Sequence, residues 1–480
     1  MKKNRILYVC TALFLLLSIQ ACDDDDTLQR PEKPEPLSSR ELDLSQFDNG
    51  SRVMMQAFYW DVEPKGEWYQ VISEHLEDWA ASGVDRIWLP PVSKGQSGIN
   101  SMGYDPSDYF DLGEFDQHGT IKTRFGSKQE LINLIEQAHT LNLEVIADIV
   151  LGHNSGGGRQ ENPFRPGDTE VYSLFNEQNG NASGKFNRSY QHFHPNDIHA
   201  NDEQALFFPK TDLCHDQEYV QNWLWKQDNS VAEYYKNEIG FDGWRFDYVK
   251  SFSPDVVKAW NDKVGGFSVG ENFDGNPEVL KEWVEASGSP AFDFACFYKL
   301  EEALDRFNDL SILGQPMLRT IYPEQAVTFV ANHDTEKDPN VDNRISAGNK
   351  LMAYAYILTH SGYPTLFYSD YENDTFNTTL KKLVALHNSL ATGTTDILEI
   401  NKEEYVMRRN GTGNNPGIIV YLNLSNQTKT RTVQSNWKNR EIVDYAGKVR
   451  RLNTTDAEGL VTIQAPPKNF SIWSVTQETK

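Results

Sequence analysis

Three short apolar runs in this chain each stop at a carboxylate, and nothing else in the sequence constrains the fold as tightly. Residues 240–250 read GFDGWRFDYVK, residues 267–274 read FSVGENFD with Glu271 near the polar end, and residues 328–334 read TFVANHD, ending in Asp334. In an extended strand successive side chains alternate, so Arg245 and Asp247 leave the same face two residues apart. An arginine there lowers the pKa of the neighbouring carboxyl and fixes its rotamer, as a carboxylate nucleophile requires. For a lone Arg-x-Asp the competing reading is a structural ion pair. Three such runs argue instead for several parallel strands delivering acids to one rim.

The pattern around those runs is strand, helix, strand, repeated. Residues 53–60 (VMMQAFYW) read as a first strand and 68–82 carry helical spacing. Gly83 and the run 86–90 (RIWLP) follow, then a helix over 128–141 and a strand over 144–151. Repeated β/α units of this kind build a parallel sheet. About eight fit between residue 53 and residue 390, which predicts an α/β chain with a (β/α)8 TIM barrel over 45–151 and 217–390. Over 152–216 the alternation stops in a segment rich in Gly, Asn, His, Phe and Pro, too long for an ordinary connection. Near residue 391 helical spacing gives way to short strands (417–424, 439–445 and 469–475), which predicts a C-terminal antiparallel β-domain of sandwich type over 391–480.

The net charge of −24 argues against nucleic acid as a partner, because phosphate recognition needs clustered Lys and Arg. The N-terminus reads as a targeting segment over 1–21: Lys2, Lys3 and Arg5 precede an apolar run from Ile6 to Ile19. That run is short for a spanning helix of roughly 20 residues, so membrane contact is expected only through a lipid on Cys22. The sequence Ser18-Ile19-Gln20-Ala21-Cys22 resembles a lipoprotein cleavage site, although Gln20 is atypical there. A secreted protein with a coincidental cysteine is the alternative. Asp23 to Asp26 and then Pro31, Pro34 and Pro36 mark residues 22–44 as a flexible tether. Acids directly after the lipid cysteine resemble a surface-export signal, so the expected location is the outer membrane or cell surface. Cys214 and Cys296 then remain for at most one disulfide.

Taken with residues 147–154 (ADIVLGHN), the three acid-ended runs are similar to the four ordered motifs of the α-amylase family, glycoside hydrolase family 13. Residues 102–115 (MGYDPSDYFDLGEF) and 123–131 (TRFGSKQEL) most resemble archaeal and plant-like α-amylases. The resemblance implies that the barrel carries a small inserted B domain over 152–216, after the third strand. It implies retaining, internal hydrolysis of α-1,4 bonds in starch-like α-glucans. Asp247 would be the nucleophile, Glu271 the general acid/base and Asp334 the third carboxylate. Glu271 has no adjacent cation in sequence, so burial near other acids is expected to raise its pKa. His153, His333, Tyr104, Arg245 and Lys250 would contact substrate or its catalytic partners.

The family also implies calcium, with Asp202 and Asp212 matching two of its carboxylates. Gly152 stands where the family commonly has an asparagine ligand, so Gly152→Asn is expected to raise calcium affinity. Capping of turns in an acidic loop is the other reading of these aspartates. His194, His199 and Cys214 supply two imidazoles and a thiolate, a donor set that suits zinc, and resemble one part of a two-metal centre in archaeal relatives. An exo-acting maltooligosaccharide hydrolase or a transglycosylase shares the same motifs. A non-catalytic glucan-binding lipoprotein is the rival of another class, against which the presence of all three acids speaks.

Overall fold

The computed structural model describes residues 40–47, 50, 52–200, 207–337 and 344–477. The expected signal segment, Cys22, most of the tether and Asp202 lie outside the described residues. Eight parallel strands close into a barrel: β1 (Met54–Gln56), β2 (Arg86–Trp88), β3 (Glu144–Ile149), β4 (Gly243–Phe246), β5 (Phe267–Gly270), β6 (Ala291–Phe292), β7 (Ala326–Phe329) and β8 (Tyr363–Phe367). The ring shuts where Met54, Met55 and Gln56 stand opposite Thr365, Leu366 and Phe367. The strands are shorter than their apolar runs because each chain leaves the ladder as soon as it reaches the rim.

Helices cover the outside for reasons visible in the sequence. In α1 (Trp68–Ala81), Trp68, Ile72, Leu76 and Trp79 recur at helical spacing and are all buried. α2 (Lys128–Thr140) opens with a reciprocal capping box, in which the Ser127 side chain accepts from the Glu130 amide and the Glu130 carboxylate accepts from Ser127. α3 (Pro254–Val264) and α4 (Pro277–Ser287) each begin with a capping side chain, Ser253 or Asn276, followed by proline in the first turn. These caps end the loops after β4 and β5, the two loops that carry Asp247 and Glu271.

Between β3 and β4 the chain makes isolated bridges rather than extended strands among the described residues, including His153 with Asp212 and Phe193 with Leu213. Arg188 ties this segment to the barrel. It is buried, its Nη2 donates 2.6 Å to the Ser107 carbonyl, and its guanidinium lies 4.4 Å from the Phe175 ring centre and 4.5 Å from that of Trp223. A cation between two aromatic faces keeps favourable electrostatics without water.

The C-terminal region forms a six-stranded antiparallel sheet from β9 (Thr395–Ile400), β10 (Glu404–Arg409), β11 (Ile418–Asn423), β13 (Glu441–Asp444), β14 (Asn453–Thr454) and β16 (Asn469–Val475). β12 (Lys429–Gln434) and β15 (Leu460–Ala465) make a separate two-stranded ladder. Val406, Ile419, Tyr421 and Trp473 of the sheet share one apolar cluster with Val433, Val461 and Ile463 of the ladder. Two layers therefore enclose a core of their own. Cys214 and Cys296 are both buried free thiols, so no disulfide joins them.

One loop near the rim is built around an internal cation. Lys94 has a fully buried side chain, 3.2 Å from the equally buried Asp111 carboxylate. Its ammonium donates to the carbonyls of Phe115, Thr120 and Ile121 at 3.1, 2.9 and 2.6 Å. A short ladder of Lys94–Gly95 with Pro106–Asp108 brings Tyr104 to the rim from the same loop. Lys94→Met would leave a buried carboxylate unpaired and three carbonyls without their donor. It is expected to destabilise the protein by about 3–5 kcal/mol, measured as a lowered denaturant midpoint and melting temperature.

Candidate active site

The centre of the barrel mouth is a single guanidinium shared among acids. Arg245 in β4 stands directly opposite Asp148 in β3. Its Nη1 donates to both Asp148 oxygens at 2.8 and 3.1 Å and to Asp247 Oδ1 at 2.8 Å. Its Nη2 lies 2.5 Å from Glu271 Oε1. Asp247 and Glu271 each occupy the first position beyond a barrel strand, and their backbone amides still donate along the ladder, to Ile149 and Phe246. The strand ends therefore fix where the carboxyls project.

Asp148 was not singled out from the sequence. Besides Arg245 it accepts from the Tyr104 hydroxyl at 2.9 Å and from Trp88 Nε1 at 3.1 Å. Its signal was present: an aspartate inside the run Val145-Ile146-Ala147-Asp148-Ile149 is a buried acid that needs a buried cation.

One cation cannot neutralise three buried carboxylates, and the protonation equilibria follow. Burial raises Asp148 to about 7 against the pull of Arg245. Burial together with the Asp247, Asp334 and Asp148 carboxylates raises Glu271 to about 8, again against Arg245. The sequence expectation for Glu271 holds in direction, but a cation does adjoin it in space. The expectation that Arg245 would bring Asp247 below the usual range is corrected: burial outweighs Arg245 and His153, and the net displacement is upward.

Asp334 opens a short helix, His333–Lys337, with the Asn332 side chain accepting from its amide at 3.0 Å. Its side chain is 41% exposed, so it faces the open cavity while Asp247 and Glu271 sit deeper. His333 is buried, and the Gln56 amide donates to its Nδ1 at 2.9 Å. An accepting Nδ1 puts the ring proton on Nε2, which lies 3.6 Å from Asp334 Oδ2. The His333 ring runs parallel to Tyr104 at 5.3 Å and to Trp60 at 6.0 Å.

His153 directs Nε2 to the Tyr104 carbonyl at 2.9 Å, and burial holds its imidazole pKa below the usual range. Lys250 is held at the rim by the Phe273 carbonyl at 2.8 Å and by Asp274 at 3.0 Å. A cavity of about 790 Å³ gathers Tyr104, His153, Asp247, Glu271, His333 and Asp334. Arg245 lies beneath its floor and Lys250 outside its lining. Trp60, Phe207, Phe208 and Phe273 also line it and were not singled out from the sequence.

A second cluster lies in the inserted segment. The ligand atoms of His194, His199 and Cys214 fall within 4.8 Å of one another, the only such grouping of three or more His, Cys, Asp or Glu side chains among the described residues. His194 Nδ1 bonds Asp212 at 2.7 Å and His199 Nε2 bonds Asp216 at 2.6 Å. Each imidazole is thus oriented by a carboxylate on one nitrogen, the outer-shell arrangement of metal-binding histidines. Burial pulls His194 down, but Asp212 and Cys214 outweigh it and raise it to about 10, so a metal there would displace a proton.

The calcium expectation meets a different geometry. Asp212 bonds His194. The Gly152 carbonyl accepts from Leu213 at 3.0 Å. A Cβ at position 152 would come within 2.5 Å of Ser251 Oγ and 3.2 Å of Ser251 Cβ. Gly152→Asn is therefore expected to displace Ser251 rather than simply add a ligand.

Comparison with known proteins fits this geometry. The family described as "Alpha amylase, catalytic domain" matches residues 45–377, and "Alpha-amylase C-terminal" matches 418–474. The chain belongs to the α-amylase family of glycoside hydrolases. It is 28% identical over 372 residues to an alpha-amylase of Bacillus licheniformis, covering 67% of this chain and 71% of that protein. It is 26% identical over 490 residues to the cytoplasmic alpha-amylase of Escherichia coli, covering 88% and 99%. The crystal structure of an Anoxybacillus alpha-amylase shares the fold with a TM-score of 0.66 at 17% identity, covering 90% of this chain and 98% of that one.

The raised Glu271 makes stability depend on pH in this glycoside hydrolase. Between the ordinary glutamate range and about pH 8 the folded protein holds a proton that the unfolded chain has released. Stability therefore falls as pH rises through that window. Glu271→Gln removes this penalty. The variant's melting temperature, relative to the unaltered protein, is expected to climb between about pH 5 and about pH 8.

Proposed function

We propose that this chain is an α-amylase that hydrolyses internal α-1,4 bonds of starch-like glucans with retention of configuration. The observation that carries the reading is the contact of Asp247 and Glu271 with the two terminal nitrogens of one buried guanidinium. Such close placement is what double displacement uses, with carboxyls roughly 5 Å apart. Asp247 attacks the anomeric carbon while the glycosidic bond breaks and the Glu271 proton passes to the leaving oxygen. Glu271 then takes a proton from water, whose oxygen attacks the same carbon and releases Asp247. Asp334 faces the positive charge that develops on the sugar ring. His333 Nε2–H and the Tyr104 ring stand beside it to orient and stack the sugar. Asp148 holds Arg245, and Arg245 holds both reacting carboxyls.

In the inserted segment His194, His199 and Cys214 fit zinc, as two nitrogens and one sulfur with oriented imidazoles. The metal's part is to cross-link a segment with little apolar core. Calcium at Asp202 and Asp212 is a separate metal reading, which elemental analysis tests alongside zinc. The Lys2–Ile19 signal and the Ala21-Cys22 junction support export and lipid anchoring at the cell surface, and Cys22→Ala should then move the enzyme from the membrane fraction to the soluble one.

Asp247→Asn and Glu271→Gln are each expected to lower starch hydrolysis by several orders of magnitude with the fold intact, since both remove reaction chemistry rather than packing. Near-normal turnover in either variant would overturn the assignment. Sizing products over time separates internal cleavage from exo action or transglycosylation, and nuclear magnetic resonance should show the α-anomer formed first. Elemental analysis should find zinc near one per chain. Cys214→Ser should lose it and melt at a lower temperature, and equal metal content and melting in that variant would remove the zinc reading alone.

A further inference from the structure

A glutamine ends β1 where an apolar side chain would pack at less cost. Gln56 is fully buried, and its ladder neighbours are Trp88 of β2 and Phe367 of β8. Burying an amide in such company is unfavourable unless it is hydrogen-bonded. Its Nε2 meets His333 Nδ1 at 2.9 Å, while its Oε1 meets no donor among the described residues. That second fact decides which way round the amide sits. With Oε1 turned to the imidazole, Nδ1 would have to carry a proton, and the NH2 group would be stranded where Oε1 now lies. A buried N–H without a partner is rarer than an under-used carbonyl. The amide therefore donates and Nδ1 accepts.

The ring that Gln56 meets is packed by aromatic side chains. Phe58 and Trp88 lie 5.0 and 5.8 Å from it, and Tyr104 and Trp60 run parallel to it at 5.3 and 6.0 Å. Tyr104 is the titrating group of the four, and burial pushes its phenol well above the usual value. Arg245 stands behind these rings, 5.0 Å from the centre of Trp88 and 6.0 Å from that of Tyr104. On the open side Asp334 Oδ2 lies 3.6 Å from His333 Nε2. A carboxylate so close favours a second proton on an imidazole. That proton would sit on Nδ1 and point at the donating amide of Gln56. Nε2–H donates to a sugar hydroxyl in either form. Only the imidazolium would set a full positive charge beside the sugar ring, where positive charge develops in the transition state.

We propose that Gln56 is a positioning residue for the hydrolytic reaction: its amide keeps His333 a neutral imidazole that donates from Nε2. The inference rests on the α-amylase reading. It explains why a buried strand end carries an amide rather than a methionine, and it gives β1 a part in the chemistry without a contact to substrate.

Nitrogen NMR of the full chain labelled at histidine distinguishes protonated from bare ring nitrogens, with the His333 signals identified by their loss in His333→Gln. The unaltered enzyme should show a bare Nδ1 and a protonated Nε2. Gln56→Glu supplies an acceptor instead of a donor and should protonate both. On maltoheptaose its kcat is expected to fall about tenfold while KM changes less than about threefold, since binding keeps its Nε2–H and the transition state meets a new cation. Gln56→Met, which fills the space without hydrogen-bonding, should lose less of kcat than Gln56→Glu. A proton on Nδ1 in the unaltered enzyme would overturn the proposal whether or not the variants fold. An unchanged nitrogen pattern in Gln56→Glu would overturn it too, as would equal losses of kcat in the Glu and Met variants, which would mean that Gln56 only packs. Failure of the unaltered enzyme to cleave maltoheptaose would instead overturn the amylase reading, and would leave the nitrogen pattern as it was.

Discussion

Everything at the barrel mouth depends on one buried guanidinium. Arg245 has no exposed side-chain surface, yet it meets Asp148, Asp247 and Glu271 at once. Stripping water from one cation and three carboxylates is unfavourable, and that burial, added to by the surplus negative charge, is what lifts Glu271 and Asp148 toward neutrality. The fold tolerates this because Trp88 and Tyr104 supply donors to Asp148 and ring faces to Arg245. The arrangement is a stability cost retained for its chemistry. A carboxyl that holds a proton near neutrality sits beside another held in place by the same cation.

The acids at strand ends were legible in the sequence because the barrel turns a local pattern into a global one. An apolar run that stops at Asp247, Glu271 or Asp334 marks both the end of a strand and the rim it reaches. The same reasoning recovered the C-terminal strands, where 417–424 and 439–445 contain the observed Ile418–Asn423 and Glu441–Asp444. Asp148 escaped because its partner is nearly a hundred positions away and only the β3–β4 register joins them. Sequence neighbours also misled on Asp247. Arg245 is two residues off and pulls its pKa down, but burial depth, which no local window reports, decides the sign. The expectation for Gly152 meets a similarly distant residue: an added Cβ there would lie 2.5 Å from Ser251 Oγ.

The inserted segment shows a different kind of legibility. Its composition announced a region without much core, and two devices compensate for that. Arg188 anchors one part between Phe175 and Trp223. The other part gathers His194, His199 and Cys214 within ligand distance. The histidines and the cysteine could be picked out by donor type together with the family resemblance, because their spacing is loose. The orienting partner Asp216 could not, because an aspartate in an acidic loop carries no distinguishing signal until His199 is placed against it.

Closure of the barrel has a consequence for how the protein comes into being. Gln56 in β1 bonds His333, which lies beyond β7, and β1 itself is held on one side by β8. The earliest strand pairs with β2 on one side, but its other edge is covered only by the last strand of the barrel. No shorter N-terminal piece can assemble the mouth, and the contacts that shape it are among the most distant along the chain, the kind that form slowly. A nascent chain emerging residue by residue stays without its active site until the eighth strand is available, whatever order its helices adopt before then.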